Sequence, residues 1–347
     1  MAGIKDVAKR AGVSISTVSR YINRTAYVEE EKGKAIQEAM EFYKYAPSQF
    51  GRGLKVQKTG LIGVCFSGTA QSSVFDSSYG VELLRGVESV TRDLDYSIVI
   101  LNEKSSYREN ESSLPQYMTF VREKKIDGLL LSGVTSREVR ERTLVELYEF
   151  GFPMVYIGRR FHDMGMNVYA GFTDYHAEMV RILHELGHRT VTFLMQIHEA
   201  YRNEVEEEIK KILPGADNWV DLLPGSFSEE ELEERLLYWI REKKVTGISS
   251  PAMEVTSMIY QILRRNGLSV PEDISVISVE SRMGEGEELF PRADAFVTPT
   301  FDMGAQAAGM LVDAIKGREV QKQSVKMDAR YIRRDSLRRA RADQQDA

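Results

Sequence analysis

Near the start of the chain, apolar residues recur at helical spacing and then stop at a turn residue. Ile4, Val7, Ala8 and Ala11 stand at i, i+3, i+4 and i+7, the positions of one buried helix face. Gly12 follows at once, and a residue free to adopt positive φ commonly ends a helix. Val13 can plug the turn. Ser14 can act as N-cap, its oxygen accepting from an amide two or three residues on. The spacing predicts a second helix from about Ile15 to Asn23. Val18 and Ile22 turn inward there, while Ser16, Ser19, Arg20 and Asn23 form a polar stripe. Two short helices joined by a tight turn, the second presenting short polar groups and an Arg, are the pattern of a DNA-reading helix-turn-helix. A third helix is expected within residues 29–44, with Ile36, Ala39, Met40 and Tyr43 inward. Glu29, Glu30 and Glu31 suit its N-terminus through the helix dipole. Gly33 is out of place in it, at about 1 kcal/mol relative to Ala. Pro47 ends this head, and PSQFGRGLKVQKTG reads as a linker.

From Gly60 the pattern changes to short apolar strands alternating with helices. GLIGVCF, YSIVILN, DGLLLSG and PMVYIG read as strands, separated by helices over Val81–Leu94, Leu114–Lys124 and Arg140–Phe150. A second series follows: helix Ala177–Leu186, strand TVTFLM, a charged helix near Asn203–Ile212, WVDLL, helix Glu229–Glu242, VTGISS, helix Val255–Asn266 and ISVISV. Such alternation implies parallel sheets covered on both faces. Two series imply two doubly wound lobes. No internal repeat or low-complexity segment interrupts them, and the tail RADQQDA carries no structural signal.

Composition sharpens this picture at three points. A chain of 347 residues with 42% hydrophobic content can bury two domain-sized cores and a small appendage. No run of about eighteen apolar residues appears, so no membrane span is expected. Met1 leads directly into the first helix without a signal peptide, which makes cytoplasmic location the expectation. A lone Cys rules out internal disulfides, and Cys65, inside LIGVCF, reads as a small core residue. Net charge is −6, which taken alone argues against nucleic acid. Residues 1–58, however, hold seven Lys and four Arg against one Asp and five Glu, a net of +5 that leaves −11 for the remainder. A basic head on an acidic body suits a DNA-binding domain fused to a non-binding one.

The words IKDVAKRAGVS, STVSRYIN, YAPS and GLIGV, then KKIDGLLLSG, ELGHRTVTFL, GLSVPEDISVIS and RYIRRDS, occur in this order. In these the chain resembles the lactose-repressor/galactose-repressor (LacI/GalR) family of bacterial transcription regulators, over nearly its whole length. The fold so implied is an N-terminal all-α helix-turn-helix head plus an α/β, periplasmic-binding-protein-like core of two doubly wound parallel-sheet lobes. Residues 1–46 would be the head and 47–58 the hinge. The N-terminal lobe would comprise 59–159 and 292–321, the C-terminal lobe 160–291 and 322–341, and 342–347 a disordered tail.

By the family's pattern Ile15, Ser16 and Arg20 read base edges, Arg20 being able to pair bidentately with guanine for about 1–3 kcal/mol of discrimination. Lys5, Ser14, Thr17, Ser19 and Asn23 are cast as contacts to the DNA backbone, which fix register. The family's linker becomes a short helix when two protomers sit on an operator, and a leucine from each then wedges into the minor groove. Leu54 holds that place. Gly51 and Gly53 stand where the family usually shows Ala and Ser. They add about 1 kcal/mol each, roughly 4 kcal/mol per dimer, to the cost of ordering. One small head makes too few base contacts for useful specificity, so a homodimer on a palindromic operator is expected, with half-sites one helical turn apart. The resemblance further implies a repressor of carbohydrate uptake or catabolism genes, controlled by a small-molecule effector between the lobes.

For that effector the resemblance points to Ser67, Tyr79, Arg202, Met253 and Glu280. In sugar-binding relatives an Asn-Asp pair follows the strand here written VTGISS, but Ala252 and Met253 occupy those places. Glu280 replaces a strand-end Asp. Arg202 lacks the Gly and aromatic that normally follow it, and the Ser-rich loop 67–79 ends on Tyr79 in the place of a ring-stacking aromatic. Every buried sugar hydroxyl needs partners, so losing the Asn-Asp pair points away from a simple neutral sugar. The expectation is a sugar derivative, another small molecule, or no ligand response.

Other motifs carry less. His184-Glu185-Leu186-Gly187-His188 has the form H-E-x-x-H, which in zinc hydrolases needs both imidazoles on one continuous helix. Gly187 is expected to end the helix first and leave His188 beyond it. No phosphate loop, nucleophile elbow or dinucleotide fingerprint appears, so neither cofactor nor catalysis is expected. A periplasmic-type binding protein would need a signal peptide and no basic head. The run Arg330, Arg333, Arg334, Arg338, Arg339 and Arg341 reads as a solvated face.

Overall fold

The computed structural model describes residues 3–23, 26–43, 58–66, 75, 77–102, 115–132, 137–158, 165–196, 219–223, 227–320 and 323–341. The hinge with Gly51, Gly53 and Leu54, the positions Ser67 and Arg202, the helix expected near 203–212 and the tail 342–347 lie outside them. The chain divides into two compact units, Met1–Leu61 with Lys124–Asp127 and Ile62–Glu123 with Gly128–Ala347.

The first unit holds three helices, α1 (Ile4–Arg10), α2 (Ile15–Asn23) and α3 (Glu30–Phe42). They close on Val7, Ala8, Val18, Ile36 and Ala39, with Ile4, Val13, Tyr21 and Ile22 packed around them. Gly33 has a packing reason that propensity conceals. A Cβ there would meet Tyr21 Cε2 at 3.0 Å, so its absence lets the Tyr21 ring lie close to α3 while its hydroxyl donates to Gln37 Oε1.

The second unit contains two six-stranded sheets. The strands are β1 (Leu61–Phe66), β2 (Ser97–Asn102), β3 (Gly128–Ser132), β4 (Met154–Ile157), β5 (Met166–Ala170), β6 (Val191–Gln196), β7 (Trp219–Leu223), β8 (Gly247–Ser249), β9 (Ser275–Glu280), β10 (Asp294–Val297), β11 (Ser324–Met327) and β12 (Arg330–Ile332). The first sheet runs β11-β5-β4-β3-β1-β2 and the second β12-β10-β9-β8-β6-β7. Within the second, β12 lies antiparallel to β10. The helices are α4 (Ser78–Thr91), α5 (Gln116–Arg122), α6 (Arg137–Glu149), α7 (Phe172–Glu185), α8 (Glu229–Glu242), α9 (Met253–Arg265) and α10 (Thr300–Ile315). Local chemistry starts them where they start. Ser77 accepts from Gly80 N to cap α4, and Ser228 and Glu231 form a capping box on α8.

The strand order moves the lobe boundaries. The expected breaks at 159/160, 291/292 and 321/322 all fall too early, because β5 and β11 belong to the first sheet and β10 and β12 to the second. The chain instead passes between sheets after Ala170, between Val297 and Thr300, and between Met327 and Arg330. These passages lie side by side, since Ala170 pairs with Met327 and Val297 with Arg330. The four strands are short, β11 and β12 have no buried position, and buried Asn167 and Asp294 break the apolar pattern of β5 and β10, so no unbroken apolar run marks them. One core continues through both sheets. Val64, Leu130 and Val168 belong to the same cluster as Phe193, Ile277 and Phe296, together with Tyr175 and Met179 of α7. Cys65 is buried in β1. Among the described residues, no helix is long and apolar enough to cross a membrane.

Candidate nucleic-acid interface and interlobe site

The turn between α1 and α2 forms as its residues dictate. Gly12 has φ +64°, Val13 N donates to Ala8 O, and Ser14 Oγ accepts from Thr17 N at 3.1 Å. The Ser14 hydroxyl also lies 2.7 Å from Ser16 Oγ and 2.8 Å from Thr17 Oγ1. Ser14 and Thr17 are therefore engaged in starting the helix, whatever else they touch. With Val18 fully buried, the opposite side of α2 presents Ser16 and Arg20, and Ile15 stands at the rim of the buried side in the first turn, all three exposed. Ile15 is 45% exposed, so it is not packed into the core of the head. Lys5 is exposed on α1 and Ser19 half-buried. Asn23 closes α2, its side chain outside the described set. At the far end of α1, the Arg10 guanidinium stacks 3.4 Å from the centroid of the Phe42 ring, a cation–π contact that fixes α1 to the end of α3.

In the body, the expected effector positions go different ways. Tyr79 stands in the first turn of α4, its hydroxyl 3.3 Å from Ser132 Oγ at the end of β3. Burial raises the pKa of its phenol, with the Ser132 bond opposing. Met253 is buried against Ala293 and Ala295. Glu280 is 0% exposed and its oxygens are occupied: Oε1 accepts from Gly286 N at 2.7 Å, Oε2 from Gly284 N at 3.1 Å, and Arg334 Nη1 lies 2.5 Å from Oε1. Arg334 also donates to Ala293 O at 2.6 Å. Its side chain is 4% exposed, so it is a buried counter-ion, contrary to the solvated face expected of the basic run. Sequence reasoning missed three residues at the lobe seam. Ser78 N donates to Glu254 Oε1 at 2.8 Å, and Glu285 lies beside them. Burial raises the Glu285 pKa, and the Glu254 charge adds to the rise against its hydrogen bonds. Ser78 and Glu254 are far apart in sequence, and no local pattern announces their meeting.

The H-E-x-x-H string does not form the metal-binding face of a helix. Helix α7 ends at Glu185, Gly187 has φ +91°, and His188 is buried beyond it. His188 Nε2 lies 3.1 Å from the Arg338 carbonyl, so it donates, and Nδ1 accepts from Thr246 Oγ1 at 2.9 Å. Burial lowers the imidazole's pKa, the Arg338 bond opposing, which keeps it neutral. Dialysis of the purified protein against EDTA should leave its melting temperature within about 1 °C. A fall of several degrees, restored by zinc, would return His184 and His188 to the list of ligands.

Residues 3–48 match the family described as bacterial regulatory proteins, lacI family, and residues 180–337 a periplasmic binding protein-like domain. A curated relative, the HTH-type transcriptional repressor PurR of Escherichia fergusonii, is 30% identical over 360 residues, covering 97% of each chain. The HTH-type transcriptional regulator RegA of Clostridium saccharobutylicum is 25% identical, covering 96% of this chain and 98% of its own. Among solved structures, a lac repressor dimer bound to operator and the anti-inducer ONPF superposes with a TM-score of 0.77. Its identity is 18%, and 96% of this chain and 98% of that one are covered.

Proposed function

The chain belongs to the lacI family of bacterial DNA-binding transcriptional regulators, and from that premise we propose that it is a homodimeric repressor whose α2 reads a palindromic operator. The observation that carries this reading is the exposure of Ser16 and Arg20 on the side of α2 opposite buried Val18, with exposed Ile15 beside them in the first turn. Arg20 lies one turn beyond Ser16, so both can reach neighbouring base edges in a major groove. Arg20 supplies bidentate recognition of a guanine, Ser16 a donor or acceptor, and Ile15 apolar contact to a thymine methyl. Lys5, Ser14, Thr17, Ser19 and Asn23 hold the phosphates, and Leu54 enters the minor groove at the centre of the site. Regulation is a population shift, in which a molecule between the lobes biases their arrangement and so the pairing of the two heads.

The family's relatives suggest a sugar or sugar derivative acting on carbohydrate genes. A second reading, a regulator that answers to another molecule or to none, is favoured by Met253 and Glu280. The first is committed to the core and the second to Arg334 and two amides, so neither is left to pair with a sugar hydroxyl.

Selection of duplexes from a random pool, followed by titration of single-base variants, tests the head. Arg20→Ala should lose about 1–3 kcal/mol on the selected site and become indifferent at one base pair per half-site. Lys5→Ala should weaken all sequences alike and reduce the salt slope by about one. Equal loss on operator and random DNA from the Arg20 change would remove it as a reader.

A further inference from the structure

Ser14 binds more than the amide it caps. Its Oγ accepts from Thr17 N at 3.1 Å and lies 2.7 Å from Ser16 Oγ and 2.8 Å from Thr17 Oγ1. Three hydroxyls are thus joined in a row with Ser14 in the middle. A hydroxyl has one proton to donate and two lone pairs. The Thr17 amide takes one lone pair of Ser14, so one lone pair and one proton remain for its two hydroxyl neighbours. Ser14 must accept from one of them and donate to the other.

Two arrangements satisfy this count. In the first, Thr17 donates to Ser14 and Ser14 to Ser16, which leaves the Ser16 proton free. In the second, Ser16 donates to Ser14 and Ser14 to Thr17. That leaves the Thr17 proton free and gives Ser16 only lone pairs to present. Without DNA the two can interchange, because Ser14 and Ser16 are exposed and water can complete either. A phosphate oxygen removes the choice. It can only accept, so a Thr17 hydroxyl laid against one must donate. Hydrogen bonds in a chain polarise one another, and the row settles in the second arrangement.

We propose that docking on DNA polarises the row Ser16–Ser14–Thr17 and makes Ser16 an acceptor, so that the base facing it must offer an amino group. In the major groove that group is N4 of cytosine or N6 of adenine. Guanine or thymine in the same place would set an acceptor against an acceptor, both cut off from water and with no proton between them. This polarity rests on the reading of α2 as the operator-reading helix with Thr17 on the backbone, and it narrows Ser16 from donor or acceptor to acceptor alone. Ser16 touches the base. Ser14 and Thr17 are positioning residues, and Ser14, saturated by its three bonds, reaches the phosphate through Thr17. Arg20 carries only donors and seeks the acceptors of guanine, so α2 presents opposite polarities one turn apart.

The test uses the full-length protein, a duplex selected from a random pool, and the base pair at which Ser16→Ala loses its preference. The wild type should favour one orientation of that pair over its reverse by about tenfold, since reversal carries the amino group to the other strand. Removing the amino group, with 2-pyrimidinone for cytosine or purine for adenine, should cost the wild type about tenfold and Ser16→Ala less than about twofold. A 7-deazapurine in the same pair, which lacks the N7 acceptor, should change the wild-type Kd by less than about twofold. These duplexes need no variant to fold. Thr17→Val keeps the side-chain shape and removes the hydroxyl that ties the row to the phosphate. It should weaken every duplex and, beyond that common loss, cut the orientation ratio to about threefold or less, while Thr17→Ser should restore the ratio. Thr17→Val with the ratio intact would overturn the polarity, as would indifference to the missing amino group, a loss on removing N7 instead, or no base pair that responds to Ser16→Ala. An Arg20 effect without an amino-group effect would remove the polarity alone. Failure to bind any duplex would sink the reading of α2 and the polarity with it.

Discussion

Arg334→Ala is expected to destabilise the body by about 3–5 kcal/mol, the cost of leaving one member of a buried ion pair alone. Its partner Glu280 is 0% exposed, so water cannot take over when the guanidinium goes. The two amides of Gly284 and Gly286 remain, but they cannot neutralise the charge. The loss reaches further than the pair. Arg334 also holds the Ala293 carbonyl, so the returning C-terminal segment loses one tie to the second sheet. Thermal melts should show a fall of about 10 °C. The double change Glu280→Gln with Arg334→Met should recover much of it, because replacing both partners removes the unpaired charge. A single-variant loss under 1 kcal/mol would contradict the burial argument. A double variant as unstable as the sum of the singles would show that packing, and not charge, is what Arg334 supplies.

The head was legible in the sequence because everything that shapes it is local. Apolar spacing, Gly12 and the Ser14 cap each act over a few residues, and α2 spans Ile15–Asn23 as the spacing predicts. The first elements of each lobe were legible for a related reason: buried parallel strands such as β1 and β3 are unbroken apolar runs. Legibility fell where partners are distant. Helix α10 went unread although Met303, Met310, Leu311 and Ile315 recur at helical spacing on its buried face; the small residues Gly304, Ala307 and Ala308 among them interrupt that stripe. Helix α7 starts at Phe172, ahead of the expected Ala177, since Phe172, Tyr175 and His176 read as a mixed polar stretch until the second sheet is placed beside them. Arg334 looks like one more surface Arg until the fold brings Glu280 to it. The Ser78–Glu254 contact depends on how two lobes meet, which no local pattern encodes.

Gly86→Ala should be nearly as damaging as the loss of Arg334, through geometry alone. Helices α4 and α10 pack together over the first sheet, and a glycine stands on each side of the contact. A Cβ at Gly86 would fall 2.0 Å from the Phe301 carbonyl oxygen and 2.9 Å from Ala305 N. A Cβ at Gly304 would fall 2.3 Å from the Leu83 carbonyl oxygen and 3.1 Å from Val87 N. Every one of these obstacles is main chain, so no side-chain rotation relieves the clash and one helix must move off the other. The cost should sit at or above the upper end of the usual overpacking range, about 3 kcal/mol. Helix propensity works in the opposite direction, favouring Ala over Gly by only about 1 kcal/mol. Gly309 isolates the two effects, because it lies in the same helix α10 with nothing within 4 Å of its added Cβ. Gly309→Ala should raise the melting temperature by a few degrees while Gly86→Ala and Gly304→Ala lower it by about 5–10 °C. If all three variants melted within a degree of the wild type, the two helices would not approach as closely as the glycine pair requires. If Gly309→Ala fell along with the other two, α10 would be responding to a substitution anywhere along its length, and close approach at the crossing would not be the cause.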